Sequence, residues 1–222
     1  MCGRYQLHTP VAILQQAFRF TQRPNLEPRY NIAPTQTVPI VRHAAEGEPE
    51  LAMVRWGLVP FWAKDISIGS RMINARSETV ATAPSFRAAF RARRCLVPAD
   101  GFYEWQKVEG AKRKQPYVIR RRDRQPLAFA GLWESWKGPE GAVETCTIIT
   151  TAANATLAPL HDRMPVILEP DVQARWLDTS RPDAADLLRP AANDLLEVYP
   201  VSTKVNYVAN QGAELIEPIN PA

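Results

Sequence analysis

The sequence predicts an α+β protein, a single domain of mainly antiparallel, barrel-like β-sheet with short flanking helices. Extended runs rich in β-branched and aromatic residues recur from residue 38 to residue 201, broken by Gly, Pro and Asp turns. Stretches with helical spacing are few and short. No internal repeat, linker or low-complexity block divides the 222 residues, so they read as one domain spanning 1–222. A chain of this length buries roughly 70% of its unfolded surface and needs no disulfide or metal to hold it.

Taken in order, Thr9-Pro10 reads as an N-cap followed by proline at the first helical position, with Val11, Leu14, Ala17 and Phe18 at helical spacing behind it. Tyr30-Asn31-Ile32-Ala33-Pro34 reads as an ordered loop. Strands are expected at 38–42 and 51–56, and Pro39 would place the first at an edge or a bulge. Trp56-Gly57-Leu58-Val59-Pro60-Phe61-Trp62 is too turn-prone for a simple strand; one tryptophan suits the core and the other an exposed plate for a base. Asn74 in Ile73-Asn74-Ala75-Arg76-Ser77-Glu78-Thr79 either caps a helix or offers its amide to a bound oxygen. Residues 85–94 pattern as an amphipathic helix whose polar side carries Arg87, Arg91, Arg93 and Arg94, arginines expected mostly to be solvated.

Two short extended runs then flank Pro98-Ala99-Asp100-Gly101. Glu104 lies between Tyr103 and Trp105, where aromatic neighbours can desolvate the carboxyl and raise its pKa, or strand alternation can turn it to solvent. The basic turn Lys112-Arg113-Lys114 leads to strands at 117–121 and 127–133, which read as a hairpin, and 143–151 continues the pattern. Leu160-His161-Asp162-Arg163-Met164-Pro165 is a polar cluster before a buried strand. Short helices at 172–177 and 184–188 and a last strand at 196–201 complete the chain.

Composition narrows the functional classes. Three well-separated cysteines, Cys2, Cys95 and Cys146, make neither a disulfide framework nor a zinc motif, so no metal is expected and a reducing compartment fits. No apolar run approaches the roughly 18 residues of a membrane span, and no signal peptide is legible. We therefore expect a cytoplasmic protein with no membrane partner, at the nucleoid if the cell is bacterial. The net charge of +4 is unevenly placed: residues 171–222 hold 4 Lys and Arg against 8 Asp and Glu, a balance of −4, so residues 1–170 carry +8. That asymmetry favours a polyanionic partner such as nucleic acid.

The chemistry centres on Met1-Cys2-Gly3-Arg4. Once the methionine is removed, Cys2 carries a free α-amine beside its thiol, a 1,2-aminothiol that can condense with an aldehyde and close a five-membered thiazolidine. The α-amine has a pKa of roughly 7.7 against about 10.4 for lysine, so its neutral fraction at pH 7 is on the order of 400-fold larger. The tethered thiol then adds without a second encounter. Of the three histidines only His161 sits where a ring titrating near neutrality suggests chemistry.

The ordered set Met1 to Arg4, Tyr30 to Pro34, Trp56 to Trp62, Ile73 to Thr79, Arg94 to Trp105 and His161 to Val166 resembles the SOS-response-associated peptidase family, the abasic-site processing proteins. The likeness spans nearly the whole chain. It implies that Cys2 forms a thiazolidine with the ring-opened sugar of an abasic site in single-stranded DNA, shielding the lesion from strand cleavage. Asn74, Glu104 and His161 are implied as the other catalytic residues, with no cofactor. Arg4, Arg76 and Arg163 match positions that contact phosphates, and Asn31, Pro34, Trp62 and Thr150 match the DNA groove. Partners implied are abasic single-stranded DNA or single-strand/double-strand junctions, met by a monomer. Some family members carry a second tryptophan after the position of Trp62, where this chain has Ala63, which implies a smaller stacking surface. A lyase activity of the same site is implied beside the cross-linking; the alternatives are a cysteine-type autopeptidase and a non-enzymatic single-strand binding module for which Cys2 and Glu104 are incidental.

Overall fold

Twelve strands and three α-helices order the described residues of the computed structural model, which are 2–44, 47–110, 113–139, 141–181 and 184–220. The amino-terminal half supplies β1 (Tyr5–Leu7), α1 (Val11–Phe18), β2 (Arg29–Ile32), β3 (Thr37–His43), β4 (Pro49–Trp56) and β5 (Asn74–Arg76). Next come α2 (Arg87–Ala92), β6 (Arg94–Ala99), β7 (Gly101–Gln106), β8 (Gln115–Arg121), β9 (Leu127–Gly138) and β10 (Gly141–Ala152). The chain ends with β11 (Arg163–Pro165), α3 (Pro170–Leu177) and β12 (Leu196–Pro200).

Five of these strands close on themselves. β10 pairs antiparallel with β9 and parallel with β4, and the ring continues through β3 and β6 back to β9, all antiparallel. Closure leaves no free edge among them. The far end of β10 takes β5 alongside it in parallel and β11 antiparallel. A second sheet, in the order β12-β8-β7-β1-β2, lies against the barrel. Tyr5 meets Trp56 edge-to-face at 5.2 Å and Phe129 at 6.2 Å, and Phe102 meets Phe129 at 5.8 Å. These rings lock β1 and β7 onto the barrel. The outer face of the second sheet is covered by the carboxy-terminal segment through Tyr103, Val118, Val201, Val205 and Leu215.

The α+β class and mainly antiparallel pairing hold, and several local expectations are corrected. Thr9 does not cap α1: its hydroxyl donates to Asp100 Oδ1, and Pro10 occupies the cap position. Asn74 opens a strand, not a helix, because β10 offers it a partner at Ile148. Pro39 lies inside the barrel, in a strand with a neighbour on each side; β6 reaches β3 only at Val41, so no pairing with β6 falls at the proline. The expected hairpin of residues 117–121 and 127–133 does not form, since β8 pairs β7 and β12 while β9 makes its hairpin with β10. Lys112 of the basic turn lies outside the described residues.

Arg94 is the largest departure, a fully buried guanidinium where a solvated one is expected. Its Nε donates to Trp176 O at 2.6 Å, Nη1 to Phe90 O at 3.3 Å, and Nη2 to the carbonyls of Asp178 and Arg181. It thus satisfies the open carbonyl ends of α2 and α3 with one side chain, and a cation suits the negative end of a helix.

Candidate active site

Cys2 has no exposed surface, although it lies one residue from the chain's start. It belongs to the main hydrophobic core, and the strand that follows it is anchored by Asp100, in the one-residue turn between β6 and β7. Its Oδ2 accepts the backbone N–H groups of His8 at 2.5 Å and Thr9 at 2.7 Å, and its Oδ1 accepts the Thr9 hydroxyl at 2.5 Å. β1 is thereby fixed in register with β7, Tyr5 opposite Phe102 and Gln6 opposite Gly101. The pairing runs on toward the terminus, with Tyr103 N–H donating to Arg4 O at 2.9 Å.

Glu104 on β7 is 4% exposed, which settles its two readings in favour of the buried one. Burial raises its pKa above the ordinary value, and the nearby His161 pulls it partly back. The Cys2 thiol is pushed far up, first by burial and then by the Glu104 carboxylate. Cys2, Glu104 and His161 therefore share one electrostatic environment.

His161 sits on the loop that leads into β11. In the neutral ring its Nδ1 accepts the Arg163 backbone N–H at 3.0 Å and the proton sits on Nε2. The Asp162 carboxylate, 2.8 Å from the same nitrogen, requires a protonated Nδ1; as Asp162 is 86% exposed, the backbone bond is the firmer of the two. The supporting loop is held from behind by Asn154, whose Nδ2 reaches Ala191 O at 3.0 Å and whose Oδ1 accepts Leu157 N–H at 3.0 Å.

Asn74 is half-buried on β5. Its Nδ2 donates weakly to Ile148 O at 3.4 Å, and its Oδ1 is buried with no hydrogen-bond partner among the described residues. An unmet acceptor of this kind costs stability unless a ligand satisfies it. The core tryptophan Trp56 fixes the residue before it, donating from Nε1 to Ile73 O at 2.9 Å.

The expected DNA-facing residues divide by availability. Arg76 is exposed on β5 and has no ion-pair partner among the described residues. Trp62 is 49% exposed and Phe61 60%, on a loop pinned by Val59 N–H to Thr145 Oγ1 at 2.9 Å and by Trp136 Nε1 to Ala63 O at 2.7 Å. Pro34 is half-buried beside the turn that follows β2.

Arg4, Asn31, Thr150 and Arg163 are already engaged. Arg4 Nη1 donates to Asn31 Oδ1 at 2.7 Å and to Val205 O at 2.9 Å, with its guanidinium over Trp105. Asn31 is fully buried, and its Nδ2 lies within 3.1 Å of the carbonyl oxygens of Val205, Tyr207 and Asn210. Both tie the carboxy-terminal segment to β1 and β2, so any effect on a groove passes through that segment. Thr150 is buried, and its carbonyl accepts Arg163 Nη2 at 2.6 Å. Arg163 also holds Glu78 in a two-bond ion pair.

Sequence reasoning passed over Asp100 and Glu78. An Asp-Gly pair between two extended runs marks the turn that Asp100 occupies, but nothing local shows that its carboxylate reaches back to residues 8 and 9. Among the described residues, no three His, Cys, Asp or Glu side chains come together to hold a metal ion. Nor is any helix among them long and apolar enough to cross a membrane.

Comparison with known proteins finds likeness over most of the chain. The family model described as SOS response associated peptidase (SRAP) matches residues 1–208. The abasic site processing protein YoqW of Bacillus subtilis is 42% identical over 224 residues, covering 98% of this chain and 99% of that protein. The abasic site processing protein HMCES of Gallus gallus is 32% identical over 266 residues, covering 99% of this chain and 78% of that one. A crystal structure of a Bacteroides thetaiotaomicron protein superposes with a TM-score of 0.86 at 25% identity, covering 99% of this chain and all of that one.

Proposed function

The chain belongs to the SOS response associated peptidase (SRAP) family, and from that premise we propose that it processes abasic sites in DNA by covalent capture on Cys2. The observation that carries the reading is the buried Glu104 carboxyl in the electrostatic environment of Cys2, with a pKa raised by desolvation. A carboxyl of that kind holds a proton at higher pH than an ordinary glutamate and can pass it on.

Removal of Met1 exposes the Cys2 α-amine. The amine adds to the aldehyde carbon of the ring-opened deoxyribose, and the resulting carbinolamine loses its hydroxyl as water, taking a proton from Glu104. The Cys2 sulfur then bonds to the imine carbon, and its proton goes to the imine nitrogen. One C–N and one C–S bond form, one water leaves, and Glu104 recovers its proton from the amine. No oxidant or cofactor is needed.

The neutral thiol supports this order of steps. A sulfur whose pKa is pushed far up is a poor first nucleophile but serves as an intramolecular trap once the imine stands beside it. The same feature weighs against the autopeptidase reading, which needs a ready thiolate. Asn74 holds the sugar through its unmet Oδ1, and His161 presents Nε2–H to sugar or phosphate oxygen. Arg76 and Trp62 are the exposed phosphate and base contacts, with single-stranded DNA as the partner.

The test mixes purified protein with single-stranded DNA carrying one abasic site. A denaturation-resistant protein–DNA band is expected, absent in Cys2→Ala, with an intact mass that lacks Met1. Ordinary affinity with no such band favours the binding module. A normal band from protein that retains Met1 refutes the aminothiol.

A further inference from the structure

Arg163 is not free to take a phosphate as it stands. Its Nη1 donates to Glu78 Oε1 at 2.6 Å and its Nη2 to Glu78 Oε2 at 3.0 Å, the parallel two-bond geometry in which a guanidinium also binds a phosphodiester. Nη2 is further used by Thr150 O at 2.6 Å, and Nε is buried without a partner among the described residues. The Arg163 side chain is 15% exposed, whereas Glu78 is 52% exposed and lies in the turn after β5, on the solvent side of the pair. A ligand arriving from solvent meets the carboxylate first.

We propose that Glu78 occupies the Arg163 fork as an internal stand-in for phosphate, and that a DNA phosphodiester engages Arg163 only by displacing it. This rests on the functional reading above. The two arginines then play different parts: Arg76, exposed and unpaired among the described residues, makes the first contact, and Arg163 is released only to a strand already placed. Glu78 so sets a threshold against weak or misplaced anions. Its hydrogen bonds to Arg163 hold its pKa at about 2, so it stays charged at any working pH and only a competing anion removes it. Thr150 O keeps the guanidinium in place while its outer face changes partner.

The experiment measures binding of intact single-stranded DNA, without a lesion, across a salt series for wild type, Glu78→Gln, Arg163→Gln and the double variant. Glu78→Gln is expected to tighten binding roughly three- to tenfold and to steepen the salt dependence by up to about 0.7 in log–log slope. In the Arg163→Gln background the same change should bring no such gain. Weaker binding by Glu78→Gln shows that Glu78 orients Arg163 and overturns the proposal. An equal gain with and without Arg163 shows a general charge effect and overturns it too. Wild type that binds no single-stranded DNA defeats the functional reading as well, whereas normal wild-type binding with an unmoved Glu78→Gln defeats this inference alone.

Discussion

Gly57 and Gly69 cross with no room for a side chain on either. A β-carbon on Gly57 would lie 2.6 Å from the Gly69 carbonyl oxygen, and one on Gly69 would lie 2.5 Å from the Gly57 carbonyl oxygen. Gly57 also has φ +125, a conformation that L side chains rarely adopt. The crossing lies at the base of the loop that presents Phe61 and Trp62 to solvent, so the exposed plate depends on two absent side chains.

Gly57→Ala is therefore expected to destabilise the protein by about 2–4 kcal/mol and to weaken single-strand binding in the molecules that remain folded. Gly47→Ala is the control. It too has positive φ, +87, but nothing lies within 4 Å of the added carbon; its cost should be about 1 kcal/mol, with DNA binding unchanged. Denaturant unfolding and a binding titration check both. Equal losses in the two variants would show that strain, not the crossing, matters at Gly57.

Asp100, in the turn before the strand that carries Glu104, ties down the far end of β1, the strand that follows Cys2, through three bonds to one carboxylate. Asp100→Ala is expected to cost about 2–4 kcal/mol, since the two freed N–H groups lose a charged acceptor. Its adduct formation should slow even well below the melting temperature, because Cys2 loses its register. Single-turnover cross-linking at a temperature where the variant is fully folded separates the two effects. An unchanged rate would reduce Asp100 to a purely structural role.

The raised pKa of Glu104 makes a signed prediction about pH. The folded state holds this proton more tightly than the unfolded chain, whose glutamate titrates near 4.5. Below that value the carboxyl is protonated in both states and costs nothing extra. As pH rises from there through the folded pKa, wild type loses stability, and above both values the loss is complete and constant. Glu104→Gln has no proton to lose. It should melt increasingly above wild type as pH climbs through that window, while its adduct formation is slower. Melting curves at several pH values, read beside cross-linking rates, check this; a Gln variant less stable than wild type at pH 8 would contradict the buried-charge argument.

Local pattern and tertiary pairing divide what the chain made legible. β6, β7, β10, α3 and β12 lie close to where alternation and turn residues place them. Partner choice is not local, so the β8–β9 connection reads as a hairpin although its strands belong to different sheets. Asn74 looks like a cap because Asn, Ser and Glu near a turn carry cap chemistry, while the partner that makes it a strand lies 74 residues away at Ile148. Arg94 reads as solvated because its four carbonyl partners come from 82 or more residues away, except Phe90. Of the site, the residue types at Cys2, Glu104 and His161 are legible from their chemistry, and the exposed Trp62 from its setting. That Arg163 is held by Glu78, and Arg4 by Asn31, is a matter of geometry.

Trp62 offers the sharpest separation of binding from chemistry. With 49% of its surface exposed on a loop held by backbone and Trp136 contacts, its ring contributes little to the core. Trp62→Ala should leave the melting temperature within about 2 °C of wild type, as a surface substitution away from caps and cavities does. Affinity for intact single-stranded DNA should fall by about 1–3 kcal/mol, the worth of one stacked base. At saturating abasic DNA the rate of adduct formation should be unchanged, since Cys2, Glu104 and His161 are untouched. A large drop in the saturated rate would mean that the ring aligns the sugar for attack, and Trp62 would then belong with the groups that position the reacting carbon.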